Sequence, residues 1–273
     1  MTIQRILISA DLEGIAGVVA SEELRAGNAE YETARRLMTE EVNAAVRGLR
    51  AANGSADIVV ADSHGTYRNV LIDQLDPTTR LLRGRPRTLA MIQGAEHADA
   101  VVFIGYHGRA GLSGLLCHTF HDVIRDIRWN GRSLGEAGLN ATVAYHLGAP
   151  LLLATGDDAL AAEIRELMPR TRTVSVKRAV SAFAAESLHP SIACERIESA
   201  ARAALEEGAN DVLDISGPVA LEVELASPGQ ADQAALPPSL KRVGPATVAT
   251  ETDDVVQAYR WVRTIVALAS APS

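Results

Sequence analysis

The chain predicts an α/β fold, with helices layered on a largely parallel sheet, and three observations carry that prediction. Apolar residues fill 47% of the 273 positions while aromatic ones fill only 4%. The apolar content is mostly Ala, Leu and Val, which suits helices on a sheet better than an aromatic-rich β-sandwich. Short uninterrupted apolar runs, Ile6-Leu7-Ile8, Ile58-Val59-Val60-Ala61 and Val101-Val102-Phe103-Ile104, have the length and composition of strands buried on both faces. Segments with apolar residues every three to four positions alternate with these runs, as amphipathic helices do. At this length one large domain, or a large domain with a smaller attachment, is expected.

The elements follow in order. After the first strand, Tyr31, Ala34, Leu37, Met38, Val42, Ala45, Val46 and Leu49 mark one helix face, and Asn53-Gly54 stops the helix. The strand Asp57–Ala61 completes a βαβ unit. A helical stretch around Thr88 to Glu96 precedes the strand Ala100–Gly105. The alternation Val123, Arg125, Ile127, Trp129 runs into Asn130-Gly131 and predicts a hairpin. Ala137 to Leu147 is helical, Gly148 ends it, and Pro150 opens the strand Leu151–Ala154. Gly156-Asp157-Asp158 turns that strand into another helix, with capping the expected role of the aspartates. The last third is expected to hold a helix from Pro190 to about Glu207, a strand from Ala220 to Leu225 and a closing helix from Asp253 to about Ala269. Ser227 to Pro245, rich in Pro, Gly, Gln and Ala, is expected to be a long surface loop.

Charge and composition exclude several classes of function. The formal balance is 26 − 34 = −8, without a basic run that would track a nucleic acid. No basic leader with an apolar core precedes the first strand, and no apolar run approaches the roughly 18 residues that cross a bilayer. A cytoplasmic protein with no membrane partner is expected. Cys117 and Cys194 are the only cysteines; their spacing fits neither a disulfide framework nor a thiolate zinc site.

Chemistry concentrates in four segments: Asp11-x-Glu13-Gly14, Asp62-Ser63-His64-Gly65, Gly105-Tyr106-His107-Gly108 and Gly135-Glu136. The first three each follow a predicted buried strand, so a parallel sheet would gather them along one edge. Asp11 and Glu13, two apart on extended chain, project to one side. Singly, each residue has an ordinary reading: a carboxylate caps a helix or binds loop amides, an acid at Glu136 suits a first helical turn, and a histidine is hydrogen-bonded. Jointly, three carboxylates and two imidazoles without sulfur form a donor set for zinc, manganese or cobalt. Their charge matches two ions, with Asp11 as the bridge, Glu13 and His64 completing one site, and His107 and Glu136 the other. The glycine-rich stretch Gly111–Thr119 could carry His118 over a bound substrate as proton donor or acceptor. Cys117, beside His118 in sequence, lacks a base placed for nucleophilic catalysis. Asn140 either orients substrate or faces solvent.

The ordered set Ser9-x-Asp11-x-Glu13-Gly14-Ile15-Ala16-Gly17, Asp62-Ser63-His64-Gly65, Gly105-Tyr106-His107, Leu116-x-His118-Thr119, Asn130-Gly131, Gly135-Glu136-x-x-x-Asn140-Ala141 and Gly156-Asp157-Asp158 resembles the zinc-dependent D-aminopeptidases of the DppA type, peptidase family M55. The resemblance is densest from residue 3 to about 160. It implies a three-layer α/β/α fold with a mixed, largely parallel sheet, formed by residues 1–273 as one domain whose metal motifs lie in 1–160 and whose part 161–273 completes the fold. It also implies a two-zinc site at Asp11, Glu13, His64, His107 and Glu136, with His118 as the catalytic histidine. Removal of N-terminal residues, often D-amino acids, from short peptides and a ring-like homo-oligomer are further implications. Arg109 stands where the family pattern carries small residues and is expected to alter the substrate or inter-subunit surface. Metal-assisted amide hydrolysis is the mechanism so implied. Another binuclear metallohydrolase, acting on a different amide or a phosphoester, and a peptide-binding protein linked to dipeptide uptake are the two rival readings. A phosphatase would supply basic residues for its substrate, and in sequence only Arg109 lies near the motifs.

Overall fold

The computed structural model describes residues 3–271, apart from 210, 212 and 214–216. Strand β1 (Arg5–Ala10) leads through helix α1 (Ala29–Ala52) to β2 (Asp57–Asp62) and β3 (Arg80–Leu82). Then come β4 (Ala100–Tyr106), the hairpin of β5 (Ile124–Trp129) and β6 (Arg132–Ser133), α2 (Glu136–His146), β7 (Leu151–Asp157) and α3 (Asp158–Leu167). The remainder comprises β8 (Arg172–Ser181), β9 (Ala184–Ser187), α4 (Pro190–Glu207), β10 (Val219–Leu225), α5 (Pro228–Ala234), β11 (Lys241–Arg242), β12 (Thr247–Thr252) and α6 (Val255–Ala269).

Seven strands form the main sheet in the order β3-β2-β1-β4-β7-β8-β9. Every pair is parallel except β8 with β9, so the sheet is mixed and largely parallel, as expected. The period of two sorts its side chains. Ile6, Ile8, Val102 and Ile104 pack toward α1 and α4, whereas Leu7, Val101 and Phe103 join the core around α2, α3 and α6. Helices thus cover both faces, giving three layers.

A five-stranded antiparallel sheet, β11-β12-β10-β5-β6, adds to this frame. Its inward residues Ile127, Trp129, Leu221, Val223 and Val248 share a core with Tyr259 and Val262 of α6. Asn130 and Gly131 both have positive φ, 50° and 80°, as the tight turn between β5 and β6 requires.

Two expectations fail. The stretch from Thr88 to Glu96 is not a helix but two short 3-10 turns, Ala90–Ile92 and Ala95–His97, separated by Gly94 at φ 107°. Ser227 to Pro245 is not an open loop, because Ser227 caps α5 by accepting from the Gln230 N–H and β11 pairs with β12. Among the described residues no helix is long and apolar enough to cross a membrane.

Candidate metal centre

The strand order places the candidate ligands before any side chain is considered. β1 lies between β2 and β4, all parallel, so Asp11 after β1 sits between His64 after β2 and His107 after β4. This is the carboxyl edge where an open sheet reverses its winding. Glu136 arrives as the first residue of α2, and His118 from the loop between β4 and β5. All six residues named from the sequence converge here.

The loop after β1 fits only because it carries glycine. The Asp11 and Gly14 N–H groups donate to the Ile104 and Gly105 carbonyls, each at 2.8 Å. A Cβ on Gly14 would stand 1.8 Å from the Tyr106 carbonyl oxygen, and one on Gly105, whose φ is +70°, would meet the Asp11 carbonyl oxygen at 2.3 Å. The Asp-x-Glu-Gly order therefore records a backbone-to-backbone approach as well as two carboxylates.

Within the cluster, Asp11 uses its two oxygens in opposite directions. Oδ1 faces His64 Nδ1 at 3.3 Å, and Oδ2 faces His107 Nε2 at 3.6 Å. Glu13 Oε2 also meets His64 Nδ1, at 3.0 Å, and Glu136 Oε1 meets His107 Nε2 at 3.6 Å. His118 Nε2 stands farther off, 3.9 Å from Glu13 and 3.8 Å from Glu136, with its ring stacked on His107 at 4.2 Å between centres. Asp11 with Glu13 and His64 makes one compact group of donor atoms; Asp11 with His107 and Glu136 makes a second, and Glu13 with His107 and His118 a third.

The imidazole protons show what these groups are built to hold. His64 Nε2–H donates to the Leu24 carbonyl at 3.0 Å, His107 Nδ1–H to Gly108 at 3.0 Å and His118 Nδ1–H to Leu116 at 2.9 Å. A carbonyl only accepts, so the ring nitrogen facing it carries a proton, and the opposite nitrogen of each ring is turned toward carboxylate oxygens. Each such pairing of nitrogen and carboxylate oxygen holds a positive charge between them, a proton or a metal ion. His107 Nε2 is buried with no hydrogen-bond partner, and backbone-anchored imidazoles of this kind are the usual support of metal ligands. Zinc bonds of about 2.0–2.2 Å put two ligand atoms of one tetrahedral site roughly 3.3–3.6 Å apart, close to the spacings around His64 and His107 and shorter than those around His118. The residues fit a metal.

Protonation tendencies agree. Burial, reinforced by Glu13 and Glu136, pushes the Asp11 carboxyl well above its usual range. Burial acts the same way on Glu13, but His64, His107 and His118 outweigh it and hold this carboxyl well below. Burial would also lower His64 and His107, yet the facing carboxylates raise both well above the ordinary imidazole value. The cluster draws positive charge to itself.

Residues beyond the sequence-named set hold it in place. Lys177 of β8 is buried, and its ammonium donates to the carbonyls of Glu13, Ile15 and Val18 at 2.5–2.9 Å. Glu41 of α1 accepts from the Ala16 N–H at 2.8 Å. Burial lowers Lys177 to about 8 and raises Glu41 to about 7. The Asp62 carboxylate accepts from the Val70 N–H and the Asn69 amide, both at 2.7 Å, which folds the segment after His64. Asn140 does neither of the things open to it in sequence. It is fully buried, donating to Tyr106 Oη at 3.1 Å and accepting from Tyr259 Oη at 2.7 Å beneath the centre. Burial pushes the Cys117 thiol up to about 12, which removes it as a nucleophile at neutral pH.

Two clefts meet at the cluster. One, of about 630 Å³, runs from Glu13, His64 and His118 toward Leu24, Leu116 and Phe183. The other, of about 560 Å³, runs from Asp11, Glu136 and His118 toward Arg85 and Arg263. Arg109 lines neither; it sits in a separate depression with Arg132, Glu163 and Glu166. The basic residues lining the two clefts are thus Arg25 in the first and Arg85 and Arg263 in the second.

An α/β/α sheet that gathers carboxylates and imidazoles where two clefts of peptide size meet has the make-up of a metal-dependent hydrolase. The chain belongs to the peptidase M55 family: the family's model, described as D-aminopeptidase, matches residues 4–264. A D-aminopeptidase of Bacillus subtilis (strain 168) is 32% identical over 274 residues, covering 98% of this chain and 99% of the relative. The solved structure of "Zn-dependent D-aminopeptidase DppA from Bacillus subtilis, a self-compartmentalizing protease" superposes with a TM-score of 0.94 at 31% identity, covering 99% of each chain.

Proposed function

We propose that the chain is a zinc-dependent aminopeptidase that removes the N-terminal residue, a D-amino acid, from short peptides at a centre of two zinc ions. The observation that carries this reading is the central carboxylate of Asp11, whose two oxygens face histidines from the strands on either side. Asp11 would bridge, Glu13 and His64 would complete one site, and His107 and Glu136 the other. Bound there, the ions would supply Lewis acidity that polarises the scissile carbonyl and brings the pKa of a water near neutrality.

The chain's own residues do the rest. His118 is half-buried and lines both clefts, with Nδ1 donating to the Leu116 carbonyl and Nε2 turned toward the cluster, a placement from which it would take a proton during attack and return it to the leaving amine. His107, buried beneath it, is shielded from substrate. Residues 1–273 act as one catalytic domain, since Lys177 and α6, from the part after residue 160, hold the loop of Asp11 and line the second cleft. The D preference is taken from the activity named for the Bacillus subtilis relatives.

Metal-depleted protein, reloaded with zinc, is expected to cleave D-Ala-D-Ala faster than L-Ala-L-Ala and to leave N-acetyl-D-Ala-D-Ala intact, because acetylation removes the amine that one ion would read. Equal rates on free and acetylated dipeptides would remove amine recognition. Metal-dependent hydrolysis of p-nitrophenyl phosphate without any dipeptide cleavage would replace the peptidase with a phosphoesterase.

A further inference from the structure

The second cleft holds a cation that hydrolysis at the cluster leaves without a task. Arg263 of α6 lines the same cleft as Asp11, Glu13, His118 and Glu136. Its guanidinium carbon lies 5.0 Å from the centre of the Phe120 ring. Among the described residues no hydrogen bond or ion pair engages it. Phe120 is in turn fixed to the cluster, because its N–H donates to Glu136 Oε1 at 2.6 Å. A guanidinium resting on an aromatic ring spends its face on that contact and keeps its in-plane donors free for a planar, bidentate acceptor. In a protein of formal charge −8, an arginine held half-buried in the same cleft as three carboxylates, yet paired with none, is placed for an anion that comes from outside.

The geometry points to Arg263 as the residue that receives the C-terminal carboxylate of a short peptide whose scissile bond lies at the cluster. This rests on the aminopeptidase reading and narrows its substrate class. Each residue adds at most about 3.3–3.6 Å to an extended peptide, so a carboxylate site in the same cleft as the ligands acts as a length gauge. Substrate shortness then follows from recognition at both ends. Arg85 is the other cation of the cleft, but it is exposed, and its guanidinium already reaches the Gly65 carbonyl at 3.5 Å.

The experiment compares D-Ala-D-Ala with its C-terminal amide, both with free amines, on the parent, Arg263→Gln, Arg263→Lys and Arg85→Gln. A charge-assisted bond to a carboxylate corresponds to roughly tenfold to a hundredfold in binding. The parent is expected to favour the acid by about that factor, chiefly in KM. Arg263→Gln is expected to bring the acid down to the level of the amide, and Arg263→Lys to fall between. Equal KM for acid and amide in the parent overturns the proposal, as does collapse of the preference in Arg85→Gln but not in Arg263→Gln. Calorimetric binding of the same two ligands to the metal-free proteins separates this inference from the reading beneath it. An acid preference in binding that Arg263→Gln abolishes, without hydrolysis by the parent, would uphold the carboxylate site and remove the peptidase. Hydrolysis with no acid preference in binding or KM would do the reverse.

Discussion

His118 is where the division of labour inside the centre is most exposed to test. Its Nε2 lies 3.8–3.9 Å from the nearest carboxylate oxygens, against 3.0–3.6 Å for His64 and His107. It is also more open than His107, with side-chain exposures of 26% and 1%. In the proposed reading those differences assign His118 to the substrate and His107 to the metal. His118→Ala is therefore expected to keep two equivalents of zinc, measured by elemental analysis, while kcat falls by about 10²–10⁴, the usual worth of positioned acid-base help. Loss of one metal equivalent would make His118 a ligand and return the third donor group to the first rank. Lys177 shows a different economy. It is one of only two lysines in the chain, and a flexible stem with three donors reaches three carbonyls of one loop where a planar arginine would not.

At the scale of elements, the segment between β1 and α1 depends on bare backbone. An alanine methyl at Gly14 would lie 1.8 Å from a carbonyl oxygen of β4, and a strand carbonyl cannot swing aside as a side chain would. Gly14→Ala is expected to cost at least about 1–3 kcal/mol, the range of overpacked cores, and to lose zinc because Asp11 and Glu13 move with the loop. Gly229→Ala in α5, where a new methyl meets nothing within 4 Å, is the control; equal melting temperatures for the two would refute the close-approach argument. This motif was legible in sequence because buried parallel strands are continuous apolar runs and the glycine follows the acids directly. The helix from Pro190 to about Glu207 was legible through the proline at its start. In the second sheet the hairpin of β5 and β6 and the strand β10 were legible, but β11 and β12 were not. Four of the six residues of Thr247–Thr252 are threonine or glutamate, and its strand character comes from pairing with β10 and β11. β8 was missed for a related reason: few of its side chains are buried, and one of them is charged Lys177. Arg263 lies 127 positions after Glu136, and no local pattern announces that α6 returns to the centre; only the fold brings them into one cleft.

For the whole molecule, the surface bears apolar residues that a lone chain would gain nothing by exposing. Val180 and Phe183, 68% and 67% exposed, stand at the turn between β8 and β9, and Phe183 also lines the rim of the first cleft. The Ala182 carbonyl between them accepts from the Leu116 N–H at 3.0 Å, so the turn is tied to the loop that carries His118. A surface of this kind, beside a cleft mouth, is what an assembly covers when it restricts access to its sites. Closing that mouth between subunits would admit peptides and exclude folded proteins, a second filter added to the reach between cluster and Arg263. The related Bacillus subtilis structure is described as a self-compartmentalizing protease, and a stable homo-oligomer larger than a dimer is expected here. Sedimentation velocity at micromolar concentration should show one species well above the dimer, with casein left uncut while dipeptides are consumed. Phe183→Glu should shift the distribution toward smaller species, since a charge buried in a subunit interface without a partner is costly. A monomer throughout the concentration range would remove the enclosed chamber, and substrate length would then rest on recognition at the two ends of the peptide alone.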